Sequence, residues 1–554
     1  MPRITLPVMN AEAEVFDYVI VGGGSAGSLI AARLTETEGV TVCVLEAGPA
    51  DRNPFIHVPA GFIKTLFDPA ITWPFQTEPS AWTRGRRIPA TQGKTLGGSS
   101  SINGLVYNRG QSLDFDGWAQ RGNPGWSYAE VLPYFKLSER RIGAGDERFR
   151  GREGAVAVTD PDWRHPVCEA FIAGVAGLGI PLNADYNGES QEGVGYFQRI
   201  IHGRWRVSAA TAFLRPAMAR HTLDVRVGTH VTAILCREGR AIGVRYARGG
   251  DRHSIVEVEA RCEVILSAGT VNSAKLLQLS GIGPGDLLTG LGLPVVHELP
   301  GVGENFRDHY GVRRVARVKG VSTINDAARW PHLALEIGKW ALGRPSILAL
   351  SPSVVYVFCR SSPGLASPDL QFVFTPASYK QGFVAMLDDF PGMTCGVWQM
   401  RPESAGHVRI CSNDPFESPV LQPNYLADPI DRRVIVDGLK LSSRFLRSAA
   451  LAPYFEEEEP LGRAAAGDEE LLEFAGERGS TGYHLIGTCR MGPRSDKLAV
   501  VDHELKVHGL AGLRIADASI MPTMPSANTY AATLMIAEKA ADMIRGSSAS
   551  RANG

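Results

Sequence analysis

The chain has 554 residues, with 57 basic against 58 acidic side chains and 44% apolar content. That length exceeds an ordinary domain several-fold, so two closely joined domains around a large core are expected. The even charge balance excludes a basic footprint for nucleic acid or an anionic membrane, which leaves small molecules as the expected partners.

The first residues, M-P-R-I-T-L-P-V-M-N-A-E-A-E, lack an apolar stretch of signal-peptide length, and no later run is long enough to span a bilayer. A cytoplasmic enzyme with no integral membrane segment is the expectation. Eight cysteines are scattered without a C-x-x-C pair, so neither a metal site nor a disulfide framework is predicted.

Phe16 to Val21 reads as a buried strand, Gly22-x-Gly24-x-x-Gly27 as a tight turn, and Ser28 to Leu34 as an apolar helix. The first glycine allows the turn, the second removes a Cβ that would strike a pyrophosphate, and the third lets helix and strand pack closely. A second strand, Val40 to Leu45, ends in Glu46, whose carboxylate stands where it can accept both hydroxyls of a ribose. Strand, glycines, helix and acid together predict a bound dinucleotide.

Gly48 to Pro89 is rich in proline and aromatics and has little periodicity; it reads either as a cover over the cofactor or as an ordinary surface excursion. A second Gly/Ser loop, Gln92 to Gly104, can wrap a planar ligand with backbone N–H groups. A short helix over Arg206 to Pro216 follows, then strands at Leu223–Val227, Val231–Cys236, Ala241–Tyr246 and Val264–Ser267, and a helix at Asn272–Leu279.

Between about 316 and 478 the texture changes. Trp330 to Leu342 is helical, while Ser353–Cys359, Asp369–Phe374, Thr394–Met400 and Gly406–Ile410 read as strands without βαβ rhythm, hence an antiparallel sheet. Tyr356, Phe372, Phe374 and Trp398 on these strands either line a pocket or pack under helices. After Gly479 the nucleotide-type pattern returns, with strands at Val500–Val507 and Leu513–Ile515 and a long helix from Asn528 to Ile544. The cofactor domain is therefore expected to be discontinuous.

Two polar residues stand out in this last segment. His484 is an imidazole that can take a hydroxyl proton near neutrality, and Asn528 is an amide that can orient the oxygen beside a helix N-terminus. Taken alone, each also fits a purely structural role.

The ordered set V-I-V-G-G-G-S-A-G, G-K-T-L-G-G-S-S-S-I-N-G, G-T-V-N-S-A-K-L-L-Q-L-S-G-I-G-P, P-G-V-G-E-N-F-R-D-H, Y-H-L-I-G-T-C-R-M-G and D-A-S-I-M-P-T-M-P-S-A-N-T resembles the glucose-methanol-choline oxidoreductase family, from Phe16 to about Ile544. The resemblance implies an α/β fold with a discontinuous Rossmann-like FAD-binding domain (1–159, 206–315 and 479–545). It also implies an α+β substrate domain on a six-stranded antiparallel sheet (160–205 and 316–478). Residues 546–554, small and polar, read as a flexible tail.

Carried over position by position, the resemblance assigns Gly22, Gly24, Gly27 and Glu46 to the FAD pyrophosphate and ribose. Gly98, Ser99, Asn103 and Gly104 fall on the loop along the flavin, and Val231 on a backbone contact to adenine. Asp517 and Ala518 fall near the pyrophosphate and ribityl chain, and Thr529 at the pyrimidine edge. His484 falls on the catalytic histidine and Asn528 on its partner position.

The implied reaction is oxidation of an alcohol to a carbonyl by hydride transfer to flavin N5, with oxygen or a quinone-like compound as final acceptor. Ile102 occupies the position at which choline oxidases attach FAD covalently, so noncovalent FAD is expected. Gly311 stands where those enzymes carry a glutamate for trimethylammonium, which disfavours choline. Ala274 and Tyr530 are further departures from the family's usual Pro and Asn. Met400 before Arg401-Pro402, with His484 retained, disfavours photodecarboxylation. The expected substrate is a small neutral primary alcohol, polyol or ketose sugar. The alternatives are a hydroxynitrile-lyase type of activity within the family and a noncatalytic flavin-binding protein.

Overall fold

The computed structural model describes residues 14–380, 386–459 and 467–552. Leaving short ribbons and turns aside, the chain order begins β1 (Glu14–Val21), α1 (Ser25–Leu34), β2 (Val42–Glu46), α2 (Pro166–Gly177) and β3 (Gly193–Tyr196). Next come β4 (Leu223–Val227), β5 (Thr229–Arg237), β6 (Arg240–Arg248), β7 (Ile255–Leu266), α3 (Gly269–Leu279) and β8 (Tyr310–Val318). The remainder is β9 (Val355–Cys359), β10 (Leu370–Thr375), β11 (Gly392–Gln399), α4 (Pro429–Leu446), β12 (Phe455–Glu459), β13 (Ser480–Thr481), β14 (Leu513–Ile515) and α5 (Tyr530–Ala552).

The first sheet has a parallel centre in the order β4-β2-β1-β7-β14, and β6 and β5 extend it antiparallel from the first half of β7. Its register brings the carboxyl ends of the central strands level. Val21 sits opposite both Leu45 and Leu266, Glu46 opposite Val227, and Ile515 opposite Leu266. Such an edge is where open α/β sheets bind ligands. Val19, Ile20, Val44, Val264 and Ile265 are wholly buried, as strands covered by helices on both faces must be.

In the second sheet, β12-β8-β11-β10-β9-β3, every pair is antiparallel, and β13 adds to the start of β8. One face is apolar. Val312, Phe372, Phe374, Cys395 and Val397 pack on α2 and α4, with the rings of Phe171 and Phe374 stacked 3.9 Å apart. The opposite face carries Arg313, Gln371, Val373, Thr394 and Trp398 and looks toward the first sheet's carboxyl edge.

Several elements differ from their sequence reading. Val500–Val507 is a turn rather than a strand, because Asp502 Oδ1 accepts the N–H groups of Glu504 and Lys506 and Leu505 adopts φ 66°. Strand β8 begins at Tyr310, and His407–Arg409 pairs only with Val420–Gln422 in a separate ribbon. The last helix starts two residues after Asn528 and continues through Ala552, over most of the stretch read as a tail. The N-terminal residues 1–13 and the final pair 553–554 lie outside the described residues. Among the described residues, no helix is long and apolar enough to cross a membrane.

Candidate active site

A cavity of about 340 Å³ runs from the carboxyl edge of the first sheet to the polar face of the second. At its first end the glycine turn is shaped by close approach. A Cβ on Gly22, at φ 99°, would lie 2.5 Å from the Ser267 carbonyl oxygen, and one on Gly27 would lie 2.0 Å from that of Gly22. Gly24 differs: a Cβ there would meet no protein atom closer than 3.8 Å and would enter the cavity. Gly98, in the second glycine loop, packs so tightly on Gly24 that its own Cβ would fall 2.8 Å from the Gly24 Cα. The two loops thus form one backbone cradle, with the N-terminus of α1 opening into it. Free N–H groups and a positive dipole end suit a diphosphate.

Glu46 closes this end. Its Oε2 accepts the Gly23 N–H at 3.0 Å and its Oε1 the Gly48 N–H at 2.8 Å, while burial pushes its carboxyl up to about 7. The carboxylate therefore braces the glycine turn as well as lining the cavity. Asp517 is likewise committed to the protein: Oδ2 accepts from Gly269 N and Ser273 Oγ, and Oδ1 from Ser519 N. Asp517, Ala518, Val231 and Thr529 line the cavity, as do Gly98, Ser99, Asn103 and Gly104. Gly27 does not; it lies beneath the turn, where its lack of a side chain lets α1 pack. Together the cradle, the acid at its end and the long polar wall fit a dinucleotide such as FAD.

The other end is made by side chains from distant segments. His484 and Asn528 meet directly, with Asn528 Nδ2 3.0 Å from His484 Nε2. Asn528 Oδ1 accepts from Gln371 Nε2 at 3.3 Å, which sets the amide's orientation. On the far side of the ring, His484 Nδ1 lies 2.9 Å from His309 Nδ1, and His309 Nε2 lies 2.7 Å from the Met400 carbonyl oxygen.

This chain has one consistent proton arrangement for two neutral rings. The Met400 carbonyl can only accept, so His309 Nε2 carries hydrogen and its Nδ1 is bare. His484 Nδ1 must then donate, and His484 Nε2 carries no hydrogen, its lone pair lying at the cavity and accepting from Asn528 Nδ2. Both rings are held neutral by burial: His309 is pushed down to about 4, and His484 lies well below its ordinary value through burial first and the adjacent imidazole second.

The backbone at His484 is fixed as well. Asp308 Oδ1 accepts the His484 N–H, and its Oδ2 accepts from Tyr425 and Thr481 hydroxyls. Burial nevertheless raises the Asp308 carboxyl to about 6. Trp398 completes the wall, its ring centroid 6.1 Å from that of His484.

His309, Gln371 and the Met400 carbonyl were not singled out from the sequence. An Asp-His pair ahead of a strand was the one signal available for His309. Its contact with a histidine 175 positions away leaves no local trace. Ile102, Phe62, Leu66, Trp73 and Phe75 also line the cavity, so the aromatic segment before Pro89 forms part of its wall.

Residues 16–311 and 402–537 match the family descriptions of GMC oxidoreductase. The chain is 37% identical over 531 residues to an oxygen-dependent choline dehydrogenase of Vibrio vulnificus, covering 96% of this chain and 94% of that one. It is 36% identical to an alcohol dehydrogenase [acceptor] of Pseudomonas putida, covering 96% of each. Among solved structures, a formate oxidase variant of Aspergillus oryzae RIB40, determined for the effect of the mutation on FAD modification, superimposes with a TM-score of 0.90. Its identity is 26%, with 96% of this chain and 98% of that one covered.

Proposed function

Since the chain belongs to the GMC oxidoreductase family, we propose that it oxidises an alcohol to the corresponding carbonyl, with His484 Nε2 as the base. FAD is the cofactor, and when bound it supplies the two-electron acceptor for the hydride that leaves the carbinol carbon. The observation that carries this reading is the hydrogen-bonded relay from Met400 through His309, which leaves Nε2 of a buried, neutral imidazole bare.

A substrate hydroxyl that displaces the direct contact between Asn528 Nδ2 and His484 Nε2 donates to Nε2 and accepts from Asn528 Nδ2. As the proton moves to Nε2, negative charge grows on the oxygen and the amide N–H stabilises it. Gln371 keeps the amide nitrogen turned that way. His309, neutral and donating to Met400, accepts from His484 Nδ1 throughout, so the ring holds its orientation while it gains charge. Trp398 borders His484, and Ile102 and Phe62 line the same cavity.

Ile102 offers no nucleophilic atom, which supports noncovalent FAD. A quaternary ammonium substrate is disfavoured: β8 has Gly311 near its start and the cation Arg313 two residues on, and the strand itself carries no carboxylate. Anaerobic addition of an alcohol panel to the purified yellow protein tests the reading. Bleaching of the flavin by at least one alcohol is expected. A fully oxidised spectrum with every alcohol, together with release of cyanide from a cyanohydrin, would mean a lyase instead.

A further inference from the structure

Strand β8 presents two consecutive arginines to opposite faces of the second sheet, and their surroundings contrast sharply. Arg314 faces the core side, where Nη1 pairs with Glu458 Oε1 at 2.6 Å and Nε donates to the Leu439 carbonyl. Arg313 faces the cavity. Its Nη1 donates to Ser480 Oγ at 3.1 Å, and among the described residues no carboxylate lies within ion-pair distance. A half-buried guanidinium on a cavity wall without a counter-charge is poorly compensated, and an anionic ligand is one way to supply the charge.

The free part of Arg313 is its Nε–Nη2 edge. That edge carries the two parallel N–H groups which meet both oxygens of a carboxylate. Space for it comes from the neighbouring strand, where Arg313 pairs with Gly396. A Cβ at that glycine would stand 3.2 Å from Arg313 Cγ and 3.8 Å from Nε. The titratable groups near enough to act on Arg313 are two phenols, Tyr379 and Tyr483, both pushed by burial up to about 12 and hence neutral, with the Tyr379 hydroxyl donating to the Pro352 carbonyl. Trp398, one residue pair along the same face, has a buried indole N–H without a partner. Around the guanidinium, then, the wall offers neutral phenols and positive charge and no competing anion.

We propose that Arg313 anchors a carboxylate on the substrate, so that the protein acts on a hydroxy acid whose carbinol lies at His484 and Asn528. This rests on the alcohol-oxidation reading and narrows it, away from the neutral alcohol or sugar expected from sequence. The neutral class followed from the motif resemblance to alcohol and sorbose dehydrogenases, together with the missing glutamate at Gly311, which argues only against a cation. The orientation of Arg313 was not visible there.

Two measurements on the FAD-loaded protein test the assignment. In the first, butanoate and butanamide, which cannot be oxidised, are titrated by calorimetry into wild type, Arg313→Met and Arg313→Lys. Wild type is expected to bind the acid at least about tenfold more tightly than the amide, the worth of one charge-assisted hydrogen bond. That preference should vanish in R313M and survive in part in R313K. In the second, ω-hydroxycarboxylates are compared with matching ω-hydroxyamides for anaerobic flavin reduction. The same preference should appear in kcat/KM, chiefly through KM.

Equal binding of acid and amide by wild type, or an undiminished preference in R313M with flavin content intact, overturns the proposal. Should acid binding depend on Arg313 while no alcohol bleaches the flavin, the anion subsite stands and the oxidation reading falls.

Discussion

At the first end of the cavity the ligand-facing surface is backbone: two glycine loops, a helix N-terminus and an acid whose oxygens are engaged by neighbouring N–H groups. At the other end it is side chains, and each functional atom is set by a partner far away in sequence: His484 by His309 and Asp308, Asn528 by Gln371. A backbone cradle tolerates no added atoms, so its chemistry is written as a local run of glycines. A relay of side chains tolerates many sequences around each member and is specified only by the fold.

The largest effect should come from filling the cradle. Gly24→Val puts a branched side chain into the space the diphosphate requires, and the purified variant should be colourless, with flavin occupancy lost while the circular dichroism of the fold is kept. A yellow, stoichiometrically loaded G24V protein would break the contrast, since it would mean that the backbone cradle is not the phosphate site.

At the side-chain end the losses should be in rate, not in colour. Asn528→Ala removes the donor to the developing alkoxide and should slow flavin reduction on the order of a hundredfold at unchanged FAD content. His309→Leu removes the acceptor that keeps hydrogen on His484 Nδ1. The loss there is about tenfold, as for one hydrogen bond of about 1.4 kcal/mol, and falls on the reduction rate rather than on substrate Kd. A change confined to Kd would make His309 part of the binding wall instead.

The smallest effect is that of pH. Burial holds His484 below its ordinary pKa, so the base is already unprotonated at neutrality. The reduction rate of wild type should therefore be flat near pH 7 and fall only as pH drops below about 6.5, because protons then occupy Nε2. An acid limb centred above that value would contradict the burial argument.

The same contrast explains what could be read in advance. Gly22 to Gly27 and Glu46 declare the first sheet because turn, strand and helix signals are contiguous there, and the resemblance across the whole chain supplied His484 and Asn528. Strand β8 was not read as a strand because Y-G-V-R-R-V-A-R-V has arginines on both faces, which hides a strand's alternation. Strand β12, F-E-E-E-E, is equally opaque, since Glu458 is buried only by virtue of Arg314 and Arg447. Val500–Val507 has strand-forming residues, but Asp502 captures the backbone into a turn. For β8 and β12 the deciding partner lies outside the window that periodicity surveys; at Val500–Val507 it is a side chain inside the window, whose hydrogen bonding periodicity does not weigh.

The most direct test of the account is the reductive half-reaction of His484→Ala, followed anaerobically by stopped flow with an alcohol that bleaches wild type. The variant is expected to remain yellow and fully loaded while its flavin is reduced roughly two to four orders of magnitude more slowly. Reduction at the wild-type rate by that variant would contradict the assignment of Nε2 as the base.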